Sequence, residues 1–478
     1  MKGKCYTLRR EIYRSQGSTG NSEEKRMDKK TRIEKLYHDA YEKDIFNGTW
    51  LYAEDGKIVT KGALGFRDFD DSLPMREDTL FQLASITKQF TAAAVMLLVR
   101  EGRLSLEDTV TKFYPELPYP NVTIRNLLTH TGGIPETYDY NMILRTYQKE
   151  HRILGSDGVI LFLSEEDVKP CFAPGERFEY TNGGYNLLAE IISQVAGVPF
   201  EKFLKENVFE PAGMYHTGIY HIWSEGIPHD NLARNMVQVD GKHIHVTDSE
   251  DADVVAFDNL NGDDYVYTDI FDMFTWDRAL REEKVLTMAE QDIMYTPGRL
   301  NDNSAAGEGE HGDGYAFGWG IQSDPVFGRI ASHGGGMPGL STWFQHFVDS
   351  DRVMVIMNCR ESEDVRANFS LWKAIRAIIT DQEPEPVNRI EDIVKDPDTS
   401  GWAAFCGKYE HPEEGDFLLD EVFEKDGALF AKAMNDGEEI EFRLYPIGEN
   451  EFGRKNAWTS FKFKDGAAEY DEKTCRKL

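Results

Sequence analysis

The chain has 478 residues, 40% of them apolar, enough for a large core and for more than one domain. Its 84 acidic against 53 basic residues give a formal charge of −31, a surface that repels phosphate backbones and anionic membranes, so neither nucleic acid nor membrane is expected as a partner. The longest apolar run, Ala92 to Val99, is far short of a spanning helix, and residues 1–30 hold no apolar export segment, so a cytoplasmic protein is expected. Five cysteines (Cys5, Cys171, Cys359, Cys406 and Cys475) form no CxxC, which fits reduced thiols better than a disulfide frame or a zinc site.

Residues 1–26 are charged and lack periodicity, which reads as a disordered tail, with Met27 as an alternative start. Helical periodicity begins there with Ile33, Leu36, Tyr37 and Tyr41. Thr49 to Glu54 and Lys57 to Leu64 flank Asp55-Gly56, a two-residue turn that suits an antiparallel hairpin. Residues 81–100 read as one apolar helix with a polar pair, Ser85 and Lys88, at its entrance; a spacing of three places hydroxyl and amine on one face. Taken alone, the pair is explained as well by a helix cap and a surface lysine.

From there to about residue 220 the chain is mostly helix and loop. Phe178-Glu-Tyr180-Thr-Asn182 is a polar loop that enters an apolar helix from Leu187 to Val195, ended by Gly197. Residues 220–262 are acidic and show no clear period. Thr268 is the expected N-cap of a helix that carries Phe271, Phe274 and Ala279. Tyr315 to Gln322, Gly328 to Ser332, Ser341 to Phe347 and Val353 to Asn358 read as an antiparallel meander, followed by a helix from Ser362 to Ile379.

Strands at both ends with helices between them predict an α/β (α+β) fold, an antiparallel sheet flanked by helices with an all-helical insertion. The expected domain spans residues 27–380. Residues 381–400, with Glu-Pro-Glu-Pro, read as a linker, and residues 401–478 as a small all-β, barrel-like domain with turns at Asp426-Gly427 and Asp465-Gly466.

A serine hydroxyl is inert unless a neighbour takes its proton, and a lysine can do so only as the neutral amine. Tyr180 is a candidate to pass the proton onward, and Asn182 can hold both an amine and a substrate carbonyl. A third stretch, Ser332-His333-Gly334-Gly335-Gly336, ends a strand with glycines that leave room for substrate, and a backbone N–H there can bind an oxyanion together with that of Ser85.

Ser85-Ile-Thr-Lys88, Tyr180-Thr-Asn182 and His333-Gly-Gly335 together resemble the Ser-x-x-Lys, Tyr-x-Asn and Lys/His-x-Gly pattern of the β-lactamase-related, penicillin-recognising serine hydrolases of the class C branch. Leu127-Leu-Thr-His130-Thr-Gly-Gly-Ile134 and Phe209-Glu-Pro-Ala-Gly-Met214 add to the likeness, which covers roughly residues 45–380. The resemblance implies Ser85 as acylated nucleophile, with Lys88 and Tyr180 sharing the acid/base work. Asn182, His333, Gly335 and Gly336 would bind substrate, and no metal or cofactor is needed. It points to a small-molecule amide, peptide (D-amino-acid peptides included) or ester as substrate. A β-lactam is disfavoured, since His333 stands where many β-lactam-hydrolysing members have a lysine. The alternative reading is a catalytically inactive binding or sensor protein with the same cleft.

Two further patterns are weaker. Gly307-Glu-Gly-Glu-His-Gly312 matches a dinucleotide fingerprint by letters only, and its carboxylates would repel a pyrophosphate. His243-Ile-His245 could offer two imidazoles to a metal, yet an exposed hairpin explains them better.

Overall fold

A computed structural model describes residues 28–68, 72–137, 142–155, 157–226, 230–239, 242–360, 365–410, 417–435, 438–455, 459–470 and 473–478. The expected disordered tail and the alternative start at Met27 lie outside these residues. The described residues group into two compact units, one within Asn47–Glu361 and one within Thr19–Phe46 and Ser362–Leu478. No described helix is long and apolar enough to cross a membrane, and Cys171, Cys359, Cys406 and Cys475 are free thiols.

The first unit is built on a seven-stranded antiparallel sheet. Its strands run in the order Gly314–Tyr315, Gly320–Asp324, Gly328–Met337, Leu340–Phe347, Arg352–Asn358, Gly48–Glu54 and Lys57–Leu64. The last two form the hairpin expected around Asp55 and Gly56, both in the left-handed region (φ 49° and 68°) that a tight type I′ turn demands. The first strand of that hairpin pairs with the last of the meander, from Gly48 opposite Asn358 to Glu54 opposite Arg352, so the sheet joins residues three hundred positions apart. Thr49 to Ala53 are fully buried, as a central strand covered on both faces requires. Gly48 is the point of closest approach: a Cβ there would lie 1.9 Å from the Met357 carbonyl oxygen.

Residues 81–100 are not one helix. Phe81–Gln82 is a short strand paired with Val266–Thr268, Ala84–Thr87 is a 3₁₀ turn, and the α-helix begins only at Lys88 and runs to Arg100. Ser85 and Lys88 therefore stand on either side of a change in helical pitch. From Lys88 to Leu98 every residue is buried, which makes this the central helix of the unit. The helix Asn182–Ala196 starts earlier than its apolar run suggested, capped by the Thr181 hydroxyl, and ends on left-handed Gly197 as expected. The helix Ile270–Arg281 is capped by Asp269, whose carboxylate accepts from the Phe271 and Asp272 N–H groups, and not by Thr268, which the strand pairing with Phe81 occupies.

In the second unit, eight strands from Gly407–Lys408 to Lys473–Arg476 are each antiparallel to the next. Tyr409 bridges Lys477, and Leu478 N–H donates to the Lys408 carbonyl (2.9 Å), which brings the last strand back onto the first in a barrel-like closure. Trp402, Leu419, Leu444, Phe452, Phe461 and Phe463 are among the residues that fill it. The helices Lys29–Glu42 and Val365–Ile379 belong to this unit, and residues 381–400 contain a helical turn, Ile390–Ile393. Arg32 donates to the Gln382 carbonyl and Lys43 to that of Val387, tying this segment to the first helix.

Gly48→Ala forces a methyl group into the Met357 carbonyl, and the cost expected for such overpacking is about 1–3 kcal/mol. Thermal unfolding is the check: the variant's Tm falls by several degrees, and an unchanged Tm would show that the two strands do not meet in the register given above.

Candidate active site

The lysine of the 3₁₀-to-α junction is the centre of the site. Lys88 is fully buried (0% exposed), and a buried amine needs an acceptor for every N–H. Its Nζ lies 3.0 Å from Ser85 Oγ, donates to Asn182 Oδ1 at 2.7 Å, and donates to the Asp263 carbonyl at 3.3 Å. The rings of Tyr180 and Tyr185 face it at 5.0 and 5.5 Å. Ser85 is the second residue of the 3₁₀ segment Ala84–Thr87, whose next N–H, that of Ile86, is given to the Leu83 carbonyl at 3.3 Å.

Backbone strain surrounds this centre. Ala84 (φ 48°), His130 (φ 54°) and Tyr265 (φ 71°) all hold a left-handed conformation that non-glycine residues avoid. Ala84 directly precedes Ser85, and Tyr265 follows Asp263 by two residues. Such conformations persist where surrounding contacts over-determine them. At Ala84 the contacts are visible: Leu83 N–H donates to the Val266 carbonyl (2.7 Å), and Thr342 Oγ1 donates to the Leu83 carbonyl (2.9 Å).

The strand Gly328–Met337 closes the other side. A Cβ on Gly335 would sit 2.1 Å from the Leu83 carbonyl oxygen and 2.3 Å from Thr342 Oγ1, so only glycine lets this strand lie against the serine turn. Its direct role is thus to dock the strand. Gly336 differs: it is exposed, and a Cβ there would meet nothing within 4 Å.

His333 is buried beside them. Its Nδ1 is 2.5 Å from the Gly334 carbonyl, and its Nε2 is 2.9 Å from the Tyr315 hydroxyl. Assigned from these partners, Nδ1 carries the proton and Nε2 accepts from Tyr315. Burial, and after it the Lys88 charge, holds the imidazole down to about pKa 3, so it is neutral. It cannot reproduce the cation of a lysine at this position.

Tyr180 and Asn182 are brought to Lys88 by His130. The His130 carbonyl accepts from Glu179 N–H (3.0 Å) and its Nδ1 from Thr181 N–H (3.3 Å), so the residue grips both neighbours of Tyr180. Its ring also lies 4.3 Å from that of Tyr180. Burial first, then Lys88, keeps His130 well below the usual imidazole range. The Tyr180 hydroxyl is buried, and no described residue meets it within normal hydrogen-bond geometry, with the Tyr315 ring beside it at 5.8 Å.

All seven residues expected at the site, Ser85, Lys88, Tyr180, Asn182, His333, Gly335 and Gly336, fall in this one region. Several neighbours were not foreseen from the sequence. His311, from the glycine-rich stretch discounted as a dinucleotide motif, puts its ring 4.9 Å from Tyr315 and 6.2 Å from Tyr180, and burial lowers it to about pKa 4. Glu136 accepts from the backbone of Asn182, and Asp263 presents its carbonyl to Lys88. Nothing local in the sequence marks these three; Glu136 lies two residues after the Leu127–Ile134 stretch, which is its only hint. His243 and His245 lie on a hairpin (Met236–Val239 and Lys242–His245) and are half-buried, with Arg360 against His243. Among the described residues the group with ligand atoms spaced for a metal ion is His216, Asp269 and Asp272, whose atoms already bond one another and the Phe271 and Asp272 N–H groups.

Comparison with known proteins now bears on this geometry. The family profile described as Beta-lactamase matches residues 25–375. This chain belongs to the beta-lactamase family of serine hydrolases. It is similar to "Penicillin-binding protein 4*" of Bacillus subtilis, 33% identical over 388 residues that cover 80% of this chain and 84% of the relative. Among solved structures it resembles the octameric penicillin-binding protein homologue from Pyrococcus abyssi (TM-score 0.64, 22% identity, 94% of this chain and 100% of that one). It also resembles D-amino acid amidase from Ochrobactrum anthropi (TM-score 0.61, 20% identity, 74% of this chain and 99% of that one). These structural likenesses speak to the fold.

Asp264, next to Asp263, is fully buried, and burial raises its carboxyl from 3.8 to about 6 against the opposing bonds from Tyr265 N–H and Gln82. A folded value above the ordinary one means that its contribution to stability is complete below about pH 3.8 and is lost as pH rises through 6. The loss amounts to about 3 kcal/mol. Denaturant unfolding of wild type and Asp264→Asn at pH 4 and pH 8 tests it: the variant gains stability relative to wild type between the two, and a difference independent of pH would refute the assignment.

Proposed function

We propose that the protein hydrolyses a small amide, peptide or ester through an acyl-enzyme on Ser85. The observation that carries this is the 3.0 Å approach of Lys88 Nζ to Ser85 Oγ within a buried set of fixed acceptors. Lys88, as the neutral amine, takes the Ser85 proton while Oγ forms a bond to the substrate carbonyl carbon. The oxyanion is received by the backbone N–H groups of Ser85 and Gly336. When the carbon–nitrogen or carbon–oxygen bond breaks, the leaving group takes a proton from the Tyr180 hydroxyl, which Lys88 restores. Water then repeats the sequence on the acyl-enzyme and releases the acid.

The described residues that form the wall opposite include the neutral rings of His333, His311 and Tyr315. That supports a substrate whose end near His333 is uncharged, as in an ester or an amino-acid amide, over a β-lactam with its carboxylate.

The test is labelling of wild type and Ser85→Ala with a fluorophosphonate, followed by turnover of p-nitrophenyl esters, D-amino-acid anilides and a penicillin. Wild type is expected to label and to favour the uncharged substrates, and Ser85→Ala to lose activity by roughly 10⁴-fold or more. Absence of any labelling or turnover by wild type would favour a binding protein instead. For Tyr180→Phe the expected loss is about 10²–10⁴-fold in kcat.

A further inference from the structure

Resting on the reading of Lys88 as the base, we infer that Glu136 is a positioning residue that sets which atom of the Asn182 amide faces Lys88. A neutral amine has two N–H groups and one lone pair. For the lone pair to point at the Ser85 hydroxyl, both N–H groups must be held elsewhere, by atoms that accept and cannot donate. The Asp263 carbonyl is one such atom. The other place belongs to Asn182, whose side chain ends in both an acceptor and a donor of nearly equal size. With Oδ1 toward Lys88, as found, the second N–H is held and the lone pair is left for serine. With the amide turned over, Nδ2 would donate to Lys88 and occupy that lone pair, and no base would remain.

Glu136 decides between the two. Its Oε2 accepts from Asn182 N–H at 2.9 Å and from Asn182 Nδ2 at 3.4 Å, while Oε1 accepts from Thr137 N–H at 2.7 Å. An ionised carboxylate only accepts, so turning the amide over would set Asn182 Oδ1 against it. Two backbone bonds fix the carboxylate itself, and Asn182 is the first residue of its helix, where the positive helix end favours a negative charge. Glu136 acts through Asn182, whose backbone and side-chain amides it holds.

The experiment compares wild type, Glu136→Gln, Asn182→Asp and the double variant by fluorophosphonate labelling rate and by kcat and KM on a p-nitrophenyl ester, with thermal unfolding as the control for folding. Glutamine can offer either a donor or an acceptor, so Glu136→Gln is expected to lose about 10²-fold in kcat, with any change in KM much smaller, the size expected of a displaced catalytic group. Asn182→Asp sets two carboxylates against each other, and adding Glu136→Gln restores a donor–acceptor pair while keeping an oxygen toward Lys88, so the double variant outpaces Asn182→Asp alone. A merely structural role gives no such rescue. Wild-type rates in Glu136→Gln, a rise in KM alone, or a double variant slower than Asn182→Asp would each overturn the inference. Should variants carrying Glu136→Gln not fold, Glu136→Asp decides: its shorter carboxylate is expected to lose its hold on Asn182 Nδ2 and lower kcat, and a wild-type kcat would overturn the inference. Labelling that survives in Ser85→Ala would instead count against the catalytic reading, which separates the two failures.

Discussion

The constraint on which this site depends is the burial of a lysine. An amine removed from water is tolerated only where its surroundings supply acceptors, and leaving one N–H without a partner costs about 1–3 kcal/mol. Lys88 meets that demand with two acceptors from distant parts of the chain, Asn182 Oδ1 at the first residue of the helix Asn182–Ala196 and the Asp263 carbonyl, while Ser85 Oγ takes the remaining side of the nitrogen. None of these is its neighbour in the final helix. The fold has to bring them together before the lysine can be buried, so the completed site and the completed core of this unit are the same event.

Much of the support is indirect. His130 holds the loop around Tyr180 by both flanking N–H groups, and the missing Cβ of Gly335 lets a strand press on the serine turn. The strained backbone at Ala84, His130 and Tyr265 lies at these same junctions. Each strained residue costs of order 1–3 kcal/mol, and the sheet and central helix around them supply the packing that offsets it.

The legible part of the fold was the part written in short stretches. The hairpin at Asp55-Gly56, the meander after residue 314 and the end of the helix at Gly197 rest on local turn chemistry, and the three motifs each mark a polar group at an element boundary. The break in residues 81–100 was hidden because Phe81 and Gln82 become a strand only through pairing with residues 267 and 268. The same pairing takes Thr268 into a strand and passes the cap to Asp269; both residues are good caps, and only the long-range partner separates them. His311 and Glu136 reach the site from loops, where no period announces which way a side chain turns.

Three imidazoles, His130, His311 and His333, ring this centre, and each is held far below the range in which imidazole usually changes charge. Mild acidification that would charge an ordinary histidine leaves all three neutral. The residue type that most often senses acidity in proteins serves here as fixed architecture, a set of flat, uncharged plates, and the cleft keeps its electrical character across conditions that would rewrite one lined by solvated histidines.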